Sequence, residues 1–234
     1  MATKKSKKPF AWSYSSLTTY ETCPLKDKFR RDKAPQPYNK YRERGITVHQ
    51  LGEDYLNGKL KKVPKEYEHF AKPLTELRKA GAQAELELAF TREWLPTEWF
   101  GDRTWFRCKL DVQNDGPFKQ GKKGNEGLLL DVIDFKTGRP KEYPEQERIN
   151  VMAALLGKPE AVAARIQFWY LDHGVVLPKK PKIYVRKNML SGTMKEFEIR
   201  ASRMEKETKF LPKKGSHCSY CDYSKRKGGP CKFN

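Results

Sequence analysis

The run Leu129-Leu130-Asp131-Val132-Ile133-Asp134-Phe135-Lys136-Thr137-Gly138 constrains the fold more than any other part of this chain. Its apolar residues ask for a buried strand, yet Asp134 and Lys136 interrupt it near its end. Residues two apart on a strand share a face, so these two side chains project together from one edge of an apolar element. A second carboxylate, Asp111, stands in the strand-like Cys108-Lys109-Leu110-Asp111-Val112. Ions on core strands persist only when they are paired, hydrogen-bonded or metal-bound. Two carboxylates beside a lysine are equipped to hold Mg²⁺ or Mn²⁺ and to steady a water that attacks a phosphate. A structural Asp–Lys pair at a strand end is the other reading of the same residues.

The patterns around this strand predict a mixed α/β fold. Hydroxyl caps at Ser13 to Ser16 open a helical region that Pro24 interrupts, and Ile46, Val48, Leu51, Tyr55 and Leu56 support a helix after Gly45. The stretch 64–89 begins helically and changes near Gly81 to the alternation Glu85-Leu86-Glu87-Leu88. Strands are predicted at 104–112 and 128–135, with a Gly-, Lys- and Asn-rich loop between them. A helix over 144–156 and an aromatic strand over 164–171 complete the core. The expected organisation is an N-terminal arm and helical lobe over 1–84, a core over 85–205 and a C-terminal cysteine segment over 206–234, packed against the N-terminal region.

Charge narrows the partner. With 48 Lys plus Arg against 29 Asp plus Glu, the formal net charge is +19, far more than solubility requires. Denser groups fall at Lys4 to Lys8, Lys26 to Lys33, Lys119 to Lys123, Lys179 to Lys187 and Lys225 to Lys232. Basic residues spread in this way suit a surface that follows a phosphate backbone. No apolar stretch reaches membrane-spanning length and no secretory pattern follows Lys8, so a soluble, cytoplasmic protein is expected. A phosphate loop of the GxxxxGK[ST] type is absent, so any ATP-driven unwinding falls to another polypeptide.

Cysteine spacing adds a second centre. Cys218-Ser219-Tyr220-Cys221 and Cys231 place three thiols in a short segment, and Cys23 or Cys108 could complete a set of four. Cys23 is the better candidate because its neighbourhood is polar and turn-prone. Spacing does not separate zinc from an iron–sulfur cluster.

In order along the chain, Ser15-x-Leu17-x-x-Tyr20-x-x-Cys23-Pro24, Gly45-x-x-x-His49, Leu110-Asp111, Ile133-Asp134-Phe135-Lys136-Thr137-Gly138 and the terminal cysteines resemble the iron–sulfur-containing RecB-like and Cas4-like exonucleases of the PD-(D/E)XK superfamily. The resemblance implies a restriction-endonuclease-like core, with Asp111, Asp134 and His49 as metal ligands and Lys136 acting on the attacking water and the phosphate. It implies Glu87 as the acidic residue of the first core strand, with Glu85 a close competitor, and Gln146 as a residue that orders the site. It implies that Cys23, Cys218, Cys221 and Cys231 hold a [4Fe–4S] cluster. Cys108, where relatives commonly carry glycine, and Asn150, where tyrosine is common, depart from the pattern.

The implied activity is a Mg²⁺- or Mn²⁺-dependent DNA exonuclease acting on single-stranded or frayed ends, with a helicase or recombination partner. The alternative is a catalytically inactive nucleic-acid-binding module with a structural Cys₄ iron–sulfur or zinc site. An electron-transfer role would account for the cysteines alone. Trp94, Trp99, Trp105, Trp169 and Tyr170 are candidates for stacking on bases, weighed against core packing.

Overall fold

The computed structural model describes residues 10–119 and 126–233. The basic group at Lys4 to Lys8, and that at Lys119 to Lys123 beyond Lys119 itself, lie outside the described residues. Tertiary contacts divide the chain into two compact units, one built on Tyr41–Met194 and one that joins Trp12–Lys40 to the chain from Lys195 onward. The expected boundary after residue 84 is therefore not a unit boundary. The helices that follow Lys40 bury apolar side chains against the sheet, and this packing places them with the core.

The first unit holds helices α3 (Lys40–Leu56) and α4 (Ala71–Lys79), strands β1 (Gln83–Phe90), β2 (Phe106–Lys119) and β3 (Glu126–Lys136), helix α5 (Pro144–Gly157), and strands β4 (Ala161–Tyr170), β5 (Val175–Leu177) and β6 (Tyr184–Val185). The strand order is β1-β2-β3-β4-β5, with β6 also on β4. Strands β1, β2 and β3 are antiparallel neighbours, and β3 and β4 are parallel. A parallel pair needs a crossover, and α5 supplies it. Pro144 opens α5 at its first turn, where a missing N–H costs nothing. Residues Ile149 to Leu155 of α5 are all buried, as expected of a helix laid along a sheet.

Successive residues of β3 serve opposite faces. Ile133 and Phe135 join a cluster with Val112 and Trp169 of the sheet and with Val48, Tyr55, Tyr67, Phe70 and Leu74 from α3, α4 and the turn between them. Within it Phe70 stacks on Trp169 at 4.8 Å, and Tyr67 meets Phe135 edge-on at 5.0 Å. Asp134, between them in sequence, faces the start of α5, where Gln146 binds it.

Two expectations are corrected here. Helix α3 begins before Gly45 and contains it. The segment expected to be a loop between β2 and β3 is largely strand, paired from Val112↔Ile133 to Lys119↔Glu126. Asp131 lies within β3 and forms a two-pronged ion pair with Arg165 across the β3–β4 ladder.

The second unit contains α1 (Tyr14–Thr22), α2 (Pro24–Arg31) and most of α6, whose full range is Arg186–Glu205. Ser13 caps α1 by a reciprocal bond with Ser16, and Trp12 stacks on Phe197 at 6.3 Å. Arg200 clamps Glu21 with two bonds of 2.7 and 2.6 Å. Asp27 is fully buried and is neutralised by Arg30 and Arg31 at 2.7 and 2.6 Å. Among the described residues, no helix is long and apolar enough to cross a membrane.

Candidate active site

The site forms where β2 and β3 part. Their ladder ends at Val112↔Ile133, and one step further Asp111 would stand opposite Asp134. Instead of a backbone bond, the Asp111 carboxylate takes the Phe135 N–H at 2.7 Å, so a side chain closes the gap left by the splayed strands. On the other side of β2 the pairs Ala84↔Val112 and Leu86↔Leu110 bracket Glu85 and Asp111. Register therefore lines up Glu85, Asp111 and Asp134 across three adjacent strands. Glu85 adopts φ +53°, a left-handed conformation costly for a non-glycine residue in a strand and most often tolerated at functional sites.

These carboxylates are poorly solvated, with side-chain exposures of 14% for Glu85, 13% for Asp111 and 10% for Asp134. Like charges across a ladder repel, and the repulsion grows as water is withdrawn. Nearby cations offset part of it. Lys109 pairs with Glu85, and Lys136 Nζ lies 2.6 Å from Asp134 Oδ2. Gln146 joins this second pair, donating to Asp134 Oδ1 at 2.7 Å and accepting from Lys136 at 3.1 Å. Burial, reinforced by the Asp111 charge, still raises the Asp134 carboxyl to about 6 against the pull of Lys136 and His49. Lys136 is driven down by burial, but the Asp134 charge outweighs this and its ammonium titrates above the ordinary lysine.

His49 reaches the same place from α3. Its Nε2 lies 3.0 Å from the Phe135 carbonyl, which can only accept, so Nε2 carries a proton and donates. The neutral ring then turns the Nδ1 lone pair toward Asp111 at 3.3 Å and Glu85 at 3.9 Å. A lone pair facing two carboxylates is repelled unless a proton or a metal ion stands between them. Burial disfavours the imidazolium, yet the bond to Asp111 and the charges of Asp111, Asp134 and Glu85 prevail and raise the His49 pKa.

Ligand atoms of His49, Glu85 and Asp111 all lie within 4.8 Å of one another, a candidate metal site. Two carboxylates and one imidazole suit a hard or borderline divalent ion such as Mg²⁺ or Mn²⁺. The set differs from the one expected from sequence. Asp134 is adjacent, but its oxygens turn to Lys136 and Gln146. Glu87, the preferred acidic residue of β1, is exposed, pairs in register with Lys109 and lies outside the group, whereas Glu85 is in it. The left-handed turn at Glu85 is the physical difference between the two.

The other candidates are placed as follows. Cys108 is buried and its thiol donates to Asn150 at 3.6 Å; burial pushes it far up, which keeps it neutral. Trp94, Trp105, Trp169 and Tyr170 are core residues, and Trp99 is partly exposed beside Arg107.

Within the second unit, Cys23, Cys218, Cys221 and Cys231 line one cavity together with Phe29 and Tyr223. Cys23 ends α1 and starts α2, and its sulfur accepts the Lys213 N–H at 3.4 Å. Cys221 and Cys231 are set by turn bonds to Cys218 and Tyr223. Among the described residues, no three of these thiols come within 4.8 Å of one another.

Residues 11–114 match the sequence profile of the PD-(D/E)XK nuclease superfamily. The matched stretch takes in His49, Glu85 and Asp111 and stops short of Asp134. The mixed α/β architecture, with its central mixed sheet and flanking helices, is consistent with the fold of that superfamily. No curated protein matches the chain significantly. Similar solved structures include SSO0001, at 12% identity over 93% of this chain and 85% of that one with a TM-score of 0.41. A candidate exonuclease from Eubacterium rectale is also 12% identical, over 94% of this chain and 92% of that one, with a TM-score of 0.47.

Proposed function

We propose that the chain is a metal-dependent DNA exonuclease of the RecB-like and Cas4-like kind that acts on single-stranded or frayed ends. The observation that carries this reading is the convergence of Glu85, Asp111, Asp134, Lys136 and His49 where β2 and β3 separate. His49, Glu85 and Asp111 would hold a Mg²⁺ or Mn²⁺ ion, with Asp134 beside them. Such an ion, when bound, supplies Lewis-acid charge and a more acidic water.

The remaining work falls to the chain's own residues. Lys136, fixed between Asp134 and Gln146, presents a pre-placed cation that offsets charge gained by a phosphate under attack. Gln146 holds Lys136 and Asp134 in one arrangement, so the cation has little freedom to lose when substrate arrives. The Phe135 backbone ties the site together, since its N–H holds Asp111 and its carbonyl holds His49. A protein nucleophile is not required. The net charge of +19 suits a polyanionic substrate.

The four thiols of the second unit are proposed to carry a [4Fe–4S] cluster that ties the two chain ends together. The four thiols line one cavity, and the neighbouring Lys26, Lys213 and Lys214 would offset cluster charge.

The test compares end-labelled linear and circular single-stranded DNA in Mg²⁺, in Mn²⁺ and in EDTA. Linear DNA should be degraded from its ends with either metal and remain intact in EDTA. Hydrolysis that persists in EDTA overturns the metal-dependent reading, and rapid cutting of circles overturns the exonuclease reading.

A further inference from the structure

A cavity of about 190 Å³ opens beside Lys136 in the first unit, between the start of α5 and the end of β4, and is closed by the segment leading into β6. Its lining combines Tyr143, Phe168 and Tyr184 with Lys180 and Lys182, two exposed lysines, and with the carboxylates Glu142 and Glu147, the second of which is engaged by the Tyr184 hydroxyl. Two of its lining rings, Tyr143 and Phe168, also face Lys136 of the candidate active site. The Lys136 ammonium lies 5.0 Å from the Tyr143 ring centre and 5.4 Å from that of Phe168.

Several contacts hold the rings ready. Tyr143 packs on the buried Phe168 at 5.6 Å, so one ring supports the other. The Tyr184 hydroxyl donates to Glu147 Oε1 at 3.0 Å, which sets the plane of that ring, and Lys182 lies over it at 4.8 Å. Aromatic faces with lysines at their edge are the elements with which proteins hold unpaired bases and the phosphates attached to them. The volume suits one ring system rather than a length of polymer.

We propose that this cavity is the subsite for the base next to the scissile phosphate. The base stacks against Tyr143 and Tyr184, while Lys180 and Lys182 contact the backbone that leads to it. Occupancy fixes the register of the strand, so that the phosphate beside the held base meets Lys136. Only an unpaired base can enter, which gives the preference for single-stranded or frayed DNA a structural cause. The proposal rests on the nuclease reading for the place of the cleaved bond and stands on its own for the binding of the base.

The experiment is an abasic walk. A short single-stranded oligonucleotide carries one abasic nucleotide, moved one position at a time, and hydrolysis of each bond by the wild-type chain is timed. Loss of one stacked base should slow cleavage roughly 5- to 150-fold at a single position adjoining the bond. An equal response at every position overturns the subsite. Tyr184→Ala should slow cleavage of the intact strand by a similar factor and erase the position dependence; full retention of that dependence places the base elsewhere. Glu147→Gln, which keeps an acceptor for the Tyr184 hydroxyl, should retain it. The same walk read as equilibrium binding in EDTA separates the two readings. One sensitive position without any hydrolysis sinks the nuclease and keeps the pocket, whereas hydrolysis with no sensitive position in either assay does the reverse.

Discussion

Asp134→Asn should abolish DNA hydrolysis and, in the absence of metal, change how stability depends on pH. In the wild-type chain the Asp134 carboxyl is raised from 3.8 to about 6 because it is buried and faces Asp111. The native state thus holds this proton more tightly than the unfolded state. Its contribution to stability is complete below about pH 4 and is lost as pH rises toward 6. A shift of about two units corresponds to roughly 3 kcal/mol at 1.36 kcal/mol per unit. The side chain is nearly fully buried, so solvent screening removes little of this. Asparagine cannot ionise, and the variant should lack this fall. The gain is partly taken back because Lys136 loses its nearest anion, which leaves a net advantage of about 1–2 kcal/mol near pH 7. His49 acts in the same direction. Its raised pKa adds stability that is present below about 6.5 and disappears as pH rises through the higher native value, so His49→Ala should remove the upper part of the slope. Urea unfolding at several pH values in EDTA measures these slopes, and Mg²⁺ or Mn²⁺ should then stabilise the wild type more than the variant. Parallel pH profiles for wild type and Asp134→Asn in EDTA would refute the electrostatic argument.

Glu85→Gln should cut metal-dependent hydrolysis by at least tenfold and raise the metal concentration for half activity, while Glu87→Gln leaves both nearly unchanged; equal losses would show that the placement of Glu85 is not the deciding one. Gly52→Ala should destabilise the chain by about 1–3 kcal/mol in urea melts, because a Cβ there would run into the Tyr67 hydroxyl and press on Phe135, the residue whose backbone holds Asp111 and His49. Anaerobically purified protein should contain about four irons and four sulfides per chain, with Cys23→Ser lowering both and Cys108→Ser changing neither; stoichiometric zinc in a colourless preparation would instead support a Cys₄ zinc site.

Much of the fold could be read from the chain because local pattern and tertiary role agreed there. The apolar run of β3, the helix opened by Pro144 and the aromatic strand β4 are each placed close to their predicted ranges. Helix α6 carries a stripe in which Met189, Thr193, Phe197, Ala201 and Met204 repeat at helical spacing and are all buried, but dense charges and Gly192 mask it in the sequence. The extension of β2 was harder to see. Gly116 and Pro117 signal a turn, and only pairing with Leu129 and Leu128 makes them strand residues.

The site divides along the same line. Asp111, Asp134 and Lys136 stand out in sequence because each is an ion within an apolar strand, a conflict visible without coordinates. Glu85 and Glu87 have the same local surroundings, and strand alternation gives them the same face, so no periodicity could choose between them. What separates them is a positive φ at Glu85 opposite the point where β2 and β3 part. That backbone turn has no residue signature, since glutamate is a poor occupant of the left-handed region. Its cost has to be met by what the carboxylate does there, and the groups within its reach are Lys109, His49 and Asp111. Lys109 alone could be satisfied by an ordinary cross-strand glutamate at position 87, its partner in register. The turned backbone sets the Glu85 carboxylate beside the other two, the three groups proposed to hold a metal ion.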